Sequence, residues 1–269
     1  MALSSLVSRY DQLILDLDGC IWVGDAAVPG SADAVSALRE AGKRVAFATN
    51  NPRHAGEDYV TKLWRVGIQA SLGDVVTVGG AVQHLLAESH AGRTAFVIGT
   101  ESLFRHVTDA GLKLLNGTDL ASRAEVVVVG GTEELVYDDL RYASLALRRG
   151  AEFLATGRDP TYPQPDGLWP GTGAIVAALE YATGRTATVV GKPEPQLFLT
   201  ALDRLGEGRT LVVGDRLDSD VAAAEKAELD AALVLSGDID ANELDGAEPK
   251  PVAVAENLSA LVSGESPSA

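Results

Sequence analysis

Four short stretches end on side chains able to hold a phosphate, a metal or a proton. "LILDLDGCIW" (Leu13–Trp22) sets Asp16 and Asp18 two apart behind an apolar run, just before Gly19. Alternate residues of a strand face the same side, so both carboxylates are predicted to leave one face where the strand stops. The plainer alternative is that Asp18–Gly19 only marks a turn. "VAFATNNP" (Val45–Pro52) closes on Thr49, Asn50 and Asn51, a hydroxyl and two amides. "TVVGKPEP" (Thr188–Pro195) carries Lys192, and "LVVGDRLDSD" (Leu211–Asp220) reaches Asp215, Asp218 and Asp220. Singly each is weak: a lysine can be a surface charge, and Asp218 a helix-start carboxylate without catalytic part. Together they bring carboxylates, a hydroxyl, two amides and a lysine to four strand ends, and no other set of similar quality competes with them.

The elements that must position them alternate. Gln12–Leu17 reads as a buried strand, Ala32–Ala41 as a helix stopped by Gly42, and Arg44–Ala48 as a second strand. Ala55–Val66 is then helical, with Gly67 after it. Later come strands at Ala187–Val190, Thr210–Val213 and Ala231–Leu235, separated by helices at Pro195–Leu205 and from Ser219 to about Glu228. The middle adds helices at Ala81–Ser89, Ser102–Ala110, Tyr137–Arg149 and Ala174–Ala182. Between them lie strands at Ala95–Ile98, Glu125–Val129 and Glu152–Ala155. Asp159–Pro170, rich in Pro and Gly, reads as a loop, and "SGESPSA" as a frayed tail. This alternation predicts an α/β fold, a parallel sheet with helices on both faces. Ligands of such sheets bind beyond the carboxyl ends of the strands, where the four motifs sit.

The order of the motifs resembles the haloacid dehalogenase (HAD) superfamily: DxD, then Ser/Thr, then Lys, then GDxxxxD. "DLDGCIW", "TNNP", "GKPEP" and "VGDRLDSD" are similar to its subfamily IIA, the branch of NagD-like, 4-nitrophenyl and glycerol-3-phosphate phosphatases. The resemblance runs from about Tyr10 to Val262. It implies a HAD-like Rossmannoid core over 1–78 and 187–269, with an inserted α/β cap of class II type A over 79–186. It also implies a Mg²⁺-dependent phosphomonoester phosphatase acting on a small phosphorylated metabolite such as glycerol phosphate, phosphoglycolate or a sugar or nucleotide phosphate. In that pattern Asp16 is the nucleophile that becomes an aspartyl-phosphate, Asp18 the general acid and then base, and Lys192 a phosphoryl stabiliser. Thr49, Asn50 and Asn51 face the phosphoryl oxygens. Mg²⁺ takes the Asp16 carboxylate, the Asp18 backbone carbonyl and Asp215, and Asp220 orients Lys192 or metal-bound water from behind. Hard oxygen donors suit that ion.

Two departures from the family pattern bear on substrate identity. In "FLATGRDP" (Phe153–Pro160) Gly157 stands where relatives commonly have Asn, and Arg158 follows. Arg158 is read either as a contact to an anionic leaving group or as a solvated loop arginine, and Asp159 as a positioning residue of the cap. Cys20 reads as a small buried apolar side chain. Trp22 and Trp169 are expected near the site entrance and Trp64 in the core. His54 reads as a solvated helix start. "GTGAIV" (Gly171–Val176) lacks the third glycine of a dinucleotide fingerprint and reads as a helix start.

Composition limits the partners. Over 269 residues, 22 Lys+Arg against 38 Asp+Glu give a formal charge of −16. That field repels nucleic acid and anionic membranes. One cysteine excludes an intramolecular disulfide. No leader or membrane-spanning run is read, so a cytoplasmic protein is expected, and a homodimer is an expectation of the resemblance. Two rivals share parts of the pattern. A phospho-signalling receiver also combines Asp, Thr, Lys and Mg²⁺, but its acceptor does not lie on the first strand. A catalytically weak HAD scaffold with a ligand-binding or regulatory role would usually have lost one of Asp16, Asp18, Lys192 or Asp215, and all four are here.

Overall fold

The computed structural model describes residues 2–51, 55–164, 167–237 and 248–264, without the side chains of 162–168. The chain forms two compact units, Met1–Thr49, Gly56–Val76 and Lys192–Ala269 in the first, Asn50–Ala55 and Thr77–Gly191 in the second. In chain order the early elements are β1 (Gln12–Asp16), β2 (Trp22–Val23), β3 (Ala26–Ala27), α1 (Ser31–Glu40), β4 (Arg44–Thr49), α2 (Gly56–Arg65) and β5 (Val75–Thr77). There follow α3 (Val78–Ser89), β6 (Thr94–Ile98), α4 (Glu101–Asp109), β7 (Lys113–Leu114), β8 (Val126–Val129), α5 (Tyr137–Arg148) and β9 (Glu152–Ala155). Then come β10 (Thr161–Gln164), β11 (Gly167–Pro170), α6 (Thr172–Thr183), β12 (Thr188–Val189), α7 (Gln196–Leu205) and β13 (Thr210–Gly214). A π-helical turn (Leu217–Val221), α8 (Ala222–Lys226), β14 (Asp230–Val234), β15 (Ala253–Ala255) and α9 (Leu258–Ser263) complete the described chain.

The first unit holds a six-stranded sheet in the order β15-β14-β13-β1-β4-β5. β1 runs parallel to both β13 and β4, and β14 parallel to β13 and β15. Every residue of β1 and β13 is buried, which is why both read as near-continuous apolar runs rather than alternating ones. Leu13, Leu15, Phe47, Leu211 and Val213 pack into one core with Leu38 of α1 and Leu63 of α2. Register fixes the functional end of the sheet. Asp16 lies beside Ala48, and Leu15 beside Val213. Asp16, Thr49 and Asp215 therefore stand together at the carboxyl ends of three adjacent strands.

The second unit has its own five-stranded sheet, β12-β9-β8-β6-β7, parallel throughout. Its separate core joins Phe96, Val127, Val129 and Phe153 to Ile175 and Leu179 of α6.

Some expectations are corrected. β1 stops at Asp16, so Asp18 sits in the following turn rather than on the strand. The strand read at 187–190 shrinks to Thr188–Val189 and pairs with β9 of the second unit, not with the motif-bearing sheet. The loop read at 159–170 contains an antiparallel hairpin, β10 with β11, hidden in the sequence because Pro163 cannot donate to a ladder. The helix read from Ser219 begins as a π turn. β15 and α9 were too short and too plain to be read at all. His54 and residues 265–269 of the tail lie outside the described residues. No described helix is long and apolar enough to cross a membrane.

Candidate active site

The sheet of the first unit delivers four motif residues to one place. Asp16 ends β1, Asp215 follows β13, Asp220 comes from the π turn beyond it, and Lys192 precedes α7. All four are buried. The Lys192 ammonium donates to Asp16 Oδ1 at 2.5 Å and to Asp220 Oδ1 at 2.6 Å. The other Asp220 oxygen accepts from the Arg216 backbone N–H at 3.2 Å, fixing its carboxylate on both sides. Asp16, Asp215 and Asp220 each bring an oxygen within 4.8 Å of the others. Asp218 instead stays exposed and pairs with Arg216 at 3.0 Å.

Glycines make the crowding possible. A Cβ at Gly214 would overlap the Asp220 carboxylate, and one at Gly237 the Asp215 carboxylate. Gly19 has φ +82°, a left-handed turn that also leaves room for Asp215. Ser236 Oγ donates to the Gly19 carbonyl at 2.7 Å and ties that turn to the end of β14.

Three buried carboxylates around one ammonium leave an excess of negative charge, and the titration behaviour follows. Burial pushes the Asp16 carboxyl well above its ordinary value; Lys192 opposes this, and Asp220, Asp215 and Asp18 add to it. Burial, reinforced by Asp220, pushes Asp215 up to about 6. Burial works against the Lys192 charge, but Asp16 and Asp220 more than reverse it, so the lysine is held protonated. A small hard cation is what such a donor set lacks: hard oxygens, buried, mutually close and short of positive charge. The group fits Mg²⁺.

Asp18 and Thr49 flank this cluster. Asp18 is exposed, and its Oδ1 accepts from the Trp22 indole N–H at 2.9 Å. Thr49 is buried and hydrogen bonded to the Tyr59 phenol, whose own ionisation is pushed up by burial and next by Asp18. Cys20 is fully buried, and burial, then Asp16, raises its thiol well above the ordinary range. Trp22 is wholly buried, and Trp64, expected in the core, is instead mostly exposed and donates to the Ala70 carbonyl at 2.8 Å.

The remaining candidates belong to the second unit. Asn50 packs against Gly191 so closely that a Cβ there would meet its amide and the Thr156 carbonyl. Asn51 is half-buried. Arg158 forks onto Glu180, 2.5 Å from Oε1 and 3.2 Å from Oε2, and so braces α6. The Asp159 carbonyl accepts from Gly173 N–H at 2.9 Å at the start of α6. Tyr59 and the Trp22 N–H escaped the sequence reading. Tyr59 looked like one more apolar position of an amphipathic helix, and only the fold reveals which hydroxyl it reaches.

Comparison with known proteins gives the family. Residues 13–113 match the family model described as haloacid dehalogenase-like hydrolase, and residues 189–261 one described as HAD-hydrolase-like. The chain is 36% identical to a D-glycerol 3-phosphate phosphatase of Mycobacterium tuberculosis over 96% of this chain and 73% of that protein. It is 35% identical to human chronophin over 88% of this chain and 84% of that one. Among solved structures, a glycerol phosphate phosphatase from M. tuberculosis in complex with magnesium superposes with TM-score 0.89 at 37% identity, covering 97% of this chain and 78% of that one. NagD from E. coli K-12 superposes with TM-score 0.84 at 27% identity, over 96% and 98%.

Proposed function

The chain belongs to the haloacid dehalogenase-like hydrolase family, and on that premise we propose the part each residue takes in phosphoryl transfer. The protein is a Mg²⁺-dependent phosphatase of small phosphorylated compounds. The observation that carries the assignment of roles is the cluster of Asp16, Asp215 and Asp220 around Lys192 at the strand ends.

Asp16 attacks phosphorus through a carboxylate oxygen, and the bond from phosphorus to the leaving oxygen breaks as Asp18 gives that oxygen its proton. Water then attacks the aspartyl-phosphate, its proton passing to Asp18; the bond to Asp16 breaks and orthophosphate leaves. Lys192 holds one Asp16 oxygen, which leaves the other to react, and meets the charge spread over the phosphoryl oxygens. Asp220 keeps the ammonium in place. Thr49 and the Asn50 and Asn51 region supply further hydrogen bonds to those oxygens. Asp16, the Asp18 carbonyl and Asp215 would hold Mg²⁺, which supplies the positive charge these carboxylates lack. At 4 Å and an effective dielectric of about 20, each carboxylate otherwise repels a unit of phosphate charge by about 4 kcal/mol.

We take the second unit, Asn50–Ala55 and Thr77–Gly191, as the cap expected over 79–186, and Arg158 and Asp159 are its candidates for contact with the leaving group. Glycerol 3-phosphate is the first substrate to try, given the M. tuberculosis relative. A homodimer, the expectation of the resemblance, is checked by light scattering of the purified protein, and the cytoplasmic location by cell fractionation.

Phosphate release is to be measured over glycerol 3-phosphate, phosphoglycolate, sugar phosphates, nucleoside monophosphates and p-nitrophenyl phosphate. Each is run with Mg²⁺, with EDTA, and with Asp16→Asn. Turnover that disappears in both controls supports the roles given. Turnover that survives Asp16→Asn removes the aspartyl-phosphate.

A further inference from the structure

Asp18 is held by Trp22, a residue to which the roles given above assign no part. The Trp22 ring is wholly buried, and a buried indole N–H needs an acceptor. Its acceptor is Asp18 Oδ1 at 2.9 Å, a carboxylate that is otherwise exposed. The backbone closes the same short loop: Gly19 N–H donates to the Trp22 carbonyl at 2.7 Å, and Trp22 N–H to the Leu17 carbonyl at 3.2 Å. The ring is gripped from its other side. Lys62 of α2 places its ammonium 4.5 Å from the indole centroid while donating to the Gly24 carbonyl at 2.7 Å. A cation over the ring face attracts the π electrons and draws charge away from the N–H, strengthening it as a donor.

We propose that Trp22, clamped by Lys62, is a positioning residue that aims the Asp18 carboxylate for proton transfer. The inference rests on the acid–base reading of Asp18. An exposed carboxylate on a turn has several rotamers open to it, and only one presents its oxygen to the leaving group. A charge-assisted bond to a fixed donor selects one. The choice matters most where the leaving group cannot depart without a proton. An alkoxide needs Asp18, whereas p-nitrophenolate leaves unaided.

The test uses Trp22→Phe and, because that change trims a buried ring, a second protein with 3-benzothienylalanine at position 22. The second side chain keeps the shape of tryptophan and lacks the N–H. With enzyme in excess, nitrophenolate release from p-nitrophenyl phosphate reports formation of the aspartyl-phosphate alone. It is expected to stay within about twofold of the parent in both variants. Turnover of the best alkyl phosphate in the panel should fall about ten- to a hundredfold with little change in KM, the loss of one hydrogen bond to a charged group. Parent-like turnover in the folded benzothienyl protein overturns the inference. So does an equal fall in nitrophenolate release, which would mark general disruption rather than proton transfer. Asp18→Asn separates the two levels of the argument. If it retains turnover of the alkyl phosphate, the acid–base reading of Asp18 fails; if it loses turnover while both Trp22 variants keep theirs, only the role of Trp22 fails.

Discussion

One ammonium answers for two carboxylates at the strand ends of the first unit, and the consequences are local. Removing it leaves buried negative charge without a partner, which typically costs several kcal/mol. Lys192→Met is therefore expected to lose about 3 kcal/mol in urea denaturation and at least a hundredfold in kcat. An unchanged denaturation midpoint would show that the site is wetter than its burial implies. Gly214 offers a second check, because a methyl group there would collide with the carboxylate that steadies Lys192. Gly214→Ala should cost about 1–3 kcal/mol through overpacking, and at least tenfold in kcat by moving Asp220. Parent kinetics for this variant would mean that Asp220 tolerates displacement. Arg158, forked onto Glu180, has a structural duty that competes with any contact to substrate.

At the scale of elements, short polar ties hold the motif-bearing strands in register. Tyr10, just ahead of β1, donates its hydroxyl to Asp230 Oδ2 at the start of β14 at 2.8 Å, and Arg209 reaches the same oxygen at 3.0 Å. The Tyr10 bond, then Arg209, lowers the Asp230 carboxyl below its ordinary value. A carboxyl lowered on folding adds stability in full above its unfolded value, and that stability is lost as the pH falls through the folded one. Asp230→Asn should thus destabilise by about 1 kcal/mol at pH 7, a figure kept small because the group is partly exposed. The difference should shrink once the pH falls below the ordinary aspartate value of about 3.9 and vanish below the lowered folded one. Urea midpoints at neutral pH and below that lowered value check it, and an equal loss at both would assign the effect to packing rather than charge.

For the whole molecule, a charge of −16 and an internal excess of carboxylates make cations the natural stabilisers. Mg²⁺ that binds only the folded chain adds about 2.7 kcal/mol at a hundred times its Kd. Tm should rise by several degrees with Mg²⁺, fall back with EDTA, and respond weakly to Mg²⁺ in Asp215→Asn. A rise of the same size in Asp215→Asn would trace the effect to general screening of the surface charge.

The sequence by itself determined the four motifs, their order, the parallel α/β class and the family. Each rests on local chemistry: apolar runs that must be buried, glycines that must turn, and carboxylates too costly to place at strand ends without use. Element type was legible wherever periodicity was long. It failed where pairing, not composition, makes the structure, as in the two-residue β12, the Pro-containing hairpin β10–β11 and the short β15. The tertiary structure alone decided that Lys192 also binds Asp16, that Trp22 holds Asp18, and that Tyr59 reaches Thr49. Those contacts bridge residues far apart in the chain or set by a turn, and no local pattern encodes the side-chain direction that makes them.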